Sequence, residues 1–254
     1  MPDLTTVAAA PARSADTHSV SEPRLVLSCE HGGNAVPPDY QNLFSGARAI
    51  LDSHRGYDPG ALALARRLAA ALSVPLEAAH VTRLLVDHNR SLHNRRALFS
   101  AFSRGLPAAE RERLLRDFYH PYRDRVAARV DDLLDGGHTV VHVAVHSFTP
   151  RLHGTVRNAD LGLLYDPARQ REAAFCRRWQ KLLEELAPPL RVRRNYPYRG
   201  ASDALVTWLR RRLPARRYLG LELEVNQALA AAGEADRERL AAALGRSLRT
   251  LLSR

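Results

Sequence analysis

Short apolar runs that alternate with segments of helical periodicity constrain the fold of this chain more than any other sequence feature. Runs rich in valine and leucine, as buried strands are, occur at residues 25–27, 84–86, 140–145, 161–164 and 218–225. Apolar residues recur at helical spacing over residues 59–72, 107–134, 168–186, 202–213 and 234–252. Strands that alternate with helices predict an α/β fold, in which helices cover both faces of a mixed or mostly parallel sheet.

The length and composition of the chain favour one domain. The 254 residues, of which 45% are hydrophobic, can bury the core of a large α/β domain, which we place at residues 24–254. Residues 1–23 are rich in Ala, Ser, Thr and Pro and lack apolar periodicity, so we expect a disordered leader there. No segment approaches the roughly 18 uninterrupted apolar residues of a membrane span. Cys29 and Cys176 make no disulfide framework, and we therefore expect a cytoplasmic location.

The chain is strongly basic, and arginine carries almost all of the positive charge. The formal net charge is +11, and Lys181 is the single lysine. This excess leaves two kinds of partner open, nucleic acid and an anionic metabolite. The arginines fall as scattered pairs without the interleaved aromatic residues of single-strand binders, so we expect a solvated surface and no nucleic-acid partner. A basic nucleic-acid-binding protein remains the non-enzymatic alternative.

Polar residues at predicted strand ends are the candidates for a metal site. His31, in "SCEHGGNAVP", follows the first strand, and His146 closes the strand at residues 140–145. Asp58, in "HRGYDPGAL", stands just before a helix, where a role as helix cap is the simpler alternative. Two imidazoles and a carboxylate match the ligand set of a catalytic zinc, which keeps a fourth position open for water. The glycines after His31 would then leave room for a substrate.

Two further motifs predict substrate binding and proton transfer. Asp87, Asn89 and Arg90 close the predicted strand at 84–86, where a guanidinium would bind a substrate carboxylate in a bidentate fork and Asn89 would assist. A structural Asp–Arg pair is the alternative. Glu222 and Glu224 alternate along the last strand, which makes one of them a candidate general base. Since roughly 7 Å of rise separates them, we expect only one to reach the metal site.

Six short motifs, "SCEHGG", "YDPGAL", "VDHNRS", "VHSF", "NYPYRG" and "ELEVNQ", occur in that order along the chain. Together they resemble the N-formylglutamate amidohydrolase family, which is related to the zinc carboxypeptidases and aspartoacylases. The resemblance implies a zinc-carboxypeptidase-like α/β fold. It also implies a metal-dependent amidohydrolase that converts N-formyl-L-glutamate, or a similar small anionic N-acyl amino acid, to the free amino acid.

Applied to this sequence residue by residue, the resemblance implies that His31 and His146 bind the metal. Asp58 would be the third metal ligand, with Glu30 as the alternative. Glu224 would be the catalytic carboxylate, although Glu222 fits the Gly-x-Glu context of the aspartoacylases equally well. The substrate would be held by Asn89, Arg90 and Arg157, with Tyr196 and Arg199 at the rim. Zinc is the default metal for such ligands, but iron, manganese or cobalt can occupy them. A thiol amidase built on Cys29 and His31 is the enzymatic alternative, and the oligomeric state stays open.

Overall fold

The central sheet has six strands in this computed structural model, which describes residues 23–230 and 232–253. The strands are β1 (Arg24–Cys29), β2 (Leu76–Ala78), β3 (Val140–Phe148), β6 (Leu161–Leu164), β7 (Val192–Arg194) and β8 (Tyr218–Asn226), in the spatial order β2-β1-β3-β8-β6-β7. A separate hairpin pairs β4 (Arg151–Leu152) with β5 (Thr155–Val156). Neighbouring strands of the sheet run parallel except β6 and β8, which are antiparallel. The predicted mixed sheet is confirmed.

Helices cover both faces of this sheet, as the alternating pattern predicts. The helices are α1 (Arg48–Leu51), α2 (Ala61–Leu72), α3 (Arg95–Leu98), α4 (Ala108–Leu114), α5 (His120–Asp135), α6 (Gln170–Leu186), α7 (Leu205–Arg212), α8 (Gln227–Ala230) and α9 (Glu234–Leu252). The apolar faces of α2, α6 and α9 share one core with one side of the sheet, and those of α5 and α7 share a second core with the other side. Among these helices, none is both long enough and apolar enough to cross a membrane.

The structure differs from the sequence-based assignments of local structure at three places. Residues 84–86 lie in a turn and its continuation and not in a strand. Their apolar side chains are still buried, but in a separate cluster beside the sheet. The edge strands β2 and β7 were not predicted, since each has three residues and neither is a continuous buried apolar run. The helix expected over 107–134 is interrupted by a π-helical turn at Leu115–Tyr119. The expected leader at 1–23 lies outside the described residues apart from Pro23.

The sheet brings polar residues of two neighbouring strands to one face and one end. In the parallel pair of β3 and β8, His146 lies beside Glu224 and Ala144 lies beside Glu222. Because side chains alternate along a strand, His146, Glu222 and Glu224 all point away from the core that contains α2. In open α/β sheets, ligands bind outside the carboxyl ends of the strands, which is where these side chains lie.

Candidate active site

A cavity of about 240 Å³ opens beyond the carboxyl ends of β1, β3 and β8. Its wall contains all three predicted metal ligands, both candidate bases and three of the predicted substrate-binding residues: His31, Asp58, His146, Glu222, Glu224, Asn89, Arg90 and Arg199. These residues come from strand ends, from loops and from the segment before α7. The fold therefore brings together, around one small polar cavity, residues that are far apart in the sequence.

Each of the two histidines is held by a carboxylate through one ring nitrogen. His31 Nε2 lies 2.7 Å from Asp87 Oδ1, and His146 Nδ1 lies 2.9 Å from Asp58 Oδ2. Because an ionised carboxylate can only accept, the bonded nitrogen of each ring carries the hydrogen. The opposite nitrogens, His31 Nδ1 and His146 Nε2, are buried without a hydrogen-bond partner among the described residues. Asp87 stands behind His31 in the arrangement that orients imidazole ligands towards metals, whereas Asp58 is itself a candidate ligand.

His31, Asp58 and His146 form a possible metal site. Each offers one ligand atom, and these atoms lie within 4.8 Å of one another. Asp58 does not cap the following helix, because Gly60 occupies the N-cap position of α2 and no side chain caps it. Instead its backbone N–H donates to His31 O at 2.9 Å, and its carboxylate also accepts from the Ser147 N–H at 3.3 Å. Two nitrogens and an oxygen suit zinc, and also other divalent transition metals.

Glu30 stays close enough to compete for the third ligand place. Its Oε2 lies 2.9 Å from His146 Nε2, but the two groups are not oriented for a hydrogen bond. Its Oε1 accepts from the Tyr122 hydroxyl at 2.9 Å. Burial acts to raise the pKa of Glu30, but His146 and Ser28 outweigh burial and hold it at about 2. Glu30 is therefore an ionised, fully buried carboxylate beside the free nitrogen of His146.

Carboxyl groups cluster at this site, away from solvent. Five are almost fully buried: Glu30, Asp58, Asp87, Glu222 and Glu224. Burial opposes ionisation of Asp58, but His31, His146 and Arg83 together hold its pKa below the usual range. Burial likewise acts to lower the pKa of His146, yet Asp58 and Glu30 raise it well above its ordinary value. Since buried charge is costly unless compensated, this field favours a bound cation between the two histidines.

Both candidate bases, Glu222 and Glu224, line the cavity. Glu222 Oε1 accepts from the Asn89 side chain at 3.1 Å and lies 3.7 Å from His146 Nε2. A glutamate side chain is long enough to offset the rise between the two positions. Glu224 Oε2 is buried without a hydrogen-bond partner among the described residues, and burial raises the pKa of this carboxyl to about 8. Glu222 is thus anchored, whereas Glu224 keeps a free oxygen.

A glycine on the neighbouring antiparallel strand gives Glu224 its space. Gly162 in β6 is paired with Glu224 in β8. A Cβ atom at position 162 would lie 3.2 Å from Glu224 Cβ and would overlap the backbone oxygen of Tyr196. The same glycine therefore packs against the strand that carries the free carboxylate and against the loop of the "NYPYRG" motif.

Of the predicted substrate-binding residues, Asn89, Arg90 and Arg199 line the cavity. Asn89 is fixed by two bonds, since its Oδ1 also accepts from the Leu205 N–H at 2.7 Å. The guanidinium of Arg90 donates to the backbone oxygen of Asp203. Arg199 is exposed and makes no ion pair with any described residue. Arg199 is therefore a free guanidinium at the cavity wall.

Three predicted substrate-binding residues do not line the cavity: Asp87, Arg157 and Tyr196. Asp87 is occupied by its bond to His31 and by an ion pair with Arg83. The guanidinium of Arg157 stacks on the ring of Tyr198 and donates to its hydroxyl at 3.0 Å. The Tyr196 hydroxyl accepts from the backbone of Asn158 at 3.0 Å. Tyr198, from the same motif as Tyr196, occupies the wall instead, because the direction of a loop side chain cannot be read from its sequence.

Arg83 is the principal site residue that the sequence analysis missed. Its guanidinium lies 3.2 Å from Asp58 Oδ1 and 3.1 Å from Asp87 Oδ2, and it lines the cavity. On the strand predicted at 84–86, positions 83 and 87 would stand about 13 Å apart. The turn that replaces the strand brings them into contact. The spacing of four residues between Arg83 and Asp87 was the sequence feature that could have indicated an ion pair. Ser147, Tyr198 and Asp203 on the wall were missed as ligand-facing residues as well.

Two expectations about the "SCEHGG" motif are not supported by the structure. Cys29 is fully buried in the core beneath α2, and burial, reinforced by Glu30 and Asp58, raises the pKa of its thiol well above the ordinary value. A thiolate nucleophile is disfavoured there. The glycines do not open the cavity, since a Cβ atom on Gly33 would overlap the backbone oxygen of His80. Close backbone packing of the 30–34 turn is what requires a glycine there.

The fold of this chain is similar to those of known proteins. The chain superposes on the gene product Atu2144 from Agrobacterium tumefaciens with a TM-score of 0.77 and 29% identity, covering 93% of this chain and 92% of that one. For the N-formylglutamate amidohydrolase from Ralstonia eutropha the TM-score is 0.62 at 20% identity, with 91% and 94% covered. A metallo-carboxypeptidase from Burkholderia cenocepacia is more distant, with a TM-score of 0.44 at 12% identity, covering 94% of this chain and 59% of that one.

No curated protein sequence gives a significant match. The sequence profile of the N-formylglutamate amidohydrolases matches residues 23–231, which is most of the chain. The protein belongs to the N-formylglutamate amidohydrolase family.

Proposed function

We propose that this protein is a metal-dependent amidohydrolase that cleaves N-formyl-L-glutamate to formate and L-glutamate. The observation that carries the proposal is the group of His31, Asp58 and His146, which each offer a ligand atom within 4.8 Å of the others on the wall of a small polar cavity. Family membership supports amide hydrolysis in general. The free carboxylate of Glu224 and the free guanidinium of Arg199 on the same wall support an acidic amide as the substrate.

His31, Asp58 and His146 would hold a divalent metal, for which zinc is our first choice. When bound, such an ion polarises the amide carbonyl and makes a nearby water molecule more acidic. The protein's own contribution is to hold His31 in one tautomer through Asp87, so that its Nδ1 lone pair faces the site, and to place Asp58 beside both imidazoles.

Glu224 is the residue to which we assign proton transfer. A general base needs a free lone pair within reach of the attacking water, and the unpartnered Oε2 of Glu224 offers one. In its ionised form Glu224 would accept a proton from the water and pass it to the nitrogen of the leaving amine. Glu222, whose Oε1 is bonded to Asn89 and lies 3.7 Å from His146 Nε2, would orient Asn89.

The substrate carboxylates are assigned to Arg199 and Arg90, with Asn89 as an amide partner. Arg199 is free to form a bidentate pair, which gives planar carboxylates both affinity and orientation. Arg90 has one nitrogen engaged by the backbone of Asp203, so it keeps other N–H groups for a ligand. A cavity of about 240 Å³ suits a small N-acyl amino acid rather than a polymer.

The decisive experiment combines metal analysis with a substrate panel. We expect about one tightly bound divalent metal ion per chain after tag-free purification, identified by mass spectrometry. Hydrolysis should be fastest for N-formyl-L-glutamate and slower for its N-acetyl and uncharged N-formyl analogues. A metal-free protein that is fully active, or a preference for uncharged amides, would contradict the proposal.

The cellular location and the non-enzymatic alternative can be tested on the same preparation. The two cysteines, Cys29 and Cys176, are unpaired, which supports the proposed cytoplasmic location. Binding of nucleic acid that weakens steeply with salt would support the nucleic-acid alternative. Full amidase activity in nuclease-treated protein would support the enzyme.

A further inference from the structure

We infer that Arg83 is a positioning residue that fixes the two carboxylates bonded to the metal-site histidines as a single rigid unit, an inference that rests on the proposed function. The guanidinium spans Asp58 and Asp87, with one terminal nitrogen on each. Asp87 in turn holds His31, and Asp58 holds His146. One side chain thus sets the relative position of both imidazoles.

The geometry of the guanidinium explains why arginine is required. Its two terminal nitrogens lie in one rigid plane, so bonding both of them fixes the separation of the two carboxylates. The distances are 3.2 Å from NH1 to Asp58 Oδ1 and 3.1 Å from NH2 to Asp87 Oδ2. Lysine would retain the charge but could not hold two acceptors at a fixed separation.

The surrounding backbone places the guanidinium before any ligand binds. The Arg83 N–H donates to Gly56 O at 3.2 Å, and the Thr82 hydroxyl donates to the same oxygen at 2.9 Å. These bonds tie the turn at 82–83 to the loop that ends at Asp58. The fold therefore holds Arg83 and Asp58 together through main-chain contacts as well as through the ion pair.

The positive charge of Arg83 also compensates the charges of Asp58 and Asp87. Asp58 and Asp87 are both at most 5% exposed, and two such carboxylates near one another repel unless a cation separates them. Burial opposes the charge on Arg83, but Asp87 and Asp58 outweigh it and raise the pKa of the guanidinium. Both terminal nitrogens of Arg83 are thus bonded to aspartates, whereas Arg199 makes no ion pair with any described residue.

The test uses Arg83→Lys and Arg83→Met, with Arg48→Met as the control. Arg48 also pairs with an aspartate, but its side chain is 84% exposed and remote from the cavity wall. Metal affinity is measured by competition with a chromogenic chelator. We expect Arg83→Lys to lower the affinity by about 10-fold and Arg83→Met by up to about 100-fold, the range in which residues behind metal ligands act. At saturating metal, KM for N-formyl-L-glutamate should stay within about twofold of wild type, because Arg83 does not bind the substrate.

A second readout needs neither metal nor activity. Nitrogen-15 spectra of the histidine rings in metal-free protein should show His31 protonated at Nε2 in wild type and a tautomer mixture in both Arg83 variants, with unchanged far-ultraviolet circular dichroism. Unchanged metal affinity with a large fall in kcat would overturn the inference and place Arg83 in direct contact with the reacting substrate. Unchanged tautomers would overturn it as well. If wild-type protein binds no metal but the tautomers still shift, the proposed function fails while the positioning role stands.

Discussion

Replacing Glu224 with glutamine tests the assignment of proton transfer most directly. The substitution keeps the size and shape of the side chain and removes only its ability to take a proton. Glu224 is 6% exposed and its Oε2 has no partner among the described residues, so the amide loses no ion pair when it replaces the carboxyl. Positioned proton transfer contributes about 10²- to 10⁴-fold. We therefore expect kcat to fall by at least about 100-fold, or about 2.7 kcal/mol in activation free energy.

The stability of the metal-free variant separates a chemical effect from an unfolding effect. Burial raises the pKa of Glu224 to about 8 in the folded protein, above its value in the unfolded chain. The folded state therefore loses stability as the pH rises from the ordinary carboxyl range towards 8. Glutamine does not ionise, so metal-free Glu224→Gln should melt at pH 8 at the same temperature as metal-free wild type or higher.

The matched control is Glu222→Gln, two residues earlier on the same strand and face. A glutamine oxygen can still accept the Asn89 hydrogen bond, so we expect kcat to fall by less than about tenfold. The assay is formate release at saturating N-formyl-L-glutamate, with metal content measured on each sample. A full loss in Glu222→Gln with little effect in Glu224→Gln would refute the reasoning and reverse the roles. Loss of bound metal in either variant would make that glutamate a ligand.

Three further predictions address the metal, its third ligand and the substrate. EDTA should abolish hydrolysis. Iodoacetamide should leave most activity, because Cys29 is fully buried and the pKa of its thiol is raised. Inactivation by iodoacetamide but not by EDTA would support the thiol mechanism instead. Asp58→Asn should lose metal in a chelator competition and Glu30→Gln should retain it; the reverse pattern would make Glu30 the third ligand. Arg90→Lys and Arg199→Lys should each raise KM with little change in kcat, since the ammonium loses the planar fork; an unchanged KM in steady-state kinetics would remove that residue from the substrate site.

The metal-site candidates were predictable because strand topology determines where they lie. His31 and His146 each follow a strand of the parallel part of the sheet, and parallel strands end at the same edge. Glu222 and Glu224 were predictable for the same reason, since alternation along β8 puts both on one face. Which of these carboxylates has a free oxygen depends on Asn89, whose position comes from a turn with no periodic signal.

The remaining parts of the site depend on loops, and there the sequence was less informative. Residues 84–86 have the composition of a strand but form a turn, which hid the contacts of Arg83 with Asp58 and Asp87. In "NYPYRG" the sequence suggested Tyr196 and Arg199, yet it is Tyr198 that accompanies Arg199 on the wall. An apolar run is buried in either conformation, so hydrophobicity alone could not distinguish a strand from a turn.

Gly162 limits how the substrate range of this protein can be changed by mutation. Libraries aimed at new substrates would naturally randomise the loop that carries Tyr198 and Arg199, since it borders the cavity. That loop rests on Gly162, which also packs beside Glu224, so a side chain introduced there would disturb recognition and catalysis together. Position 162 should therefore be held as glycine in any such library, and selected loops should be compared by how well they preserve turnover on the parent substrate.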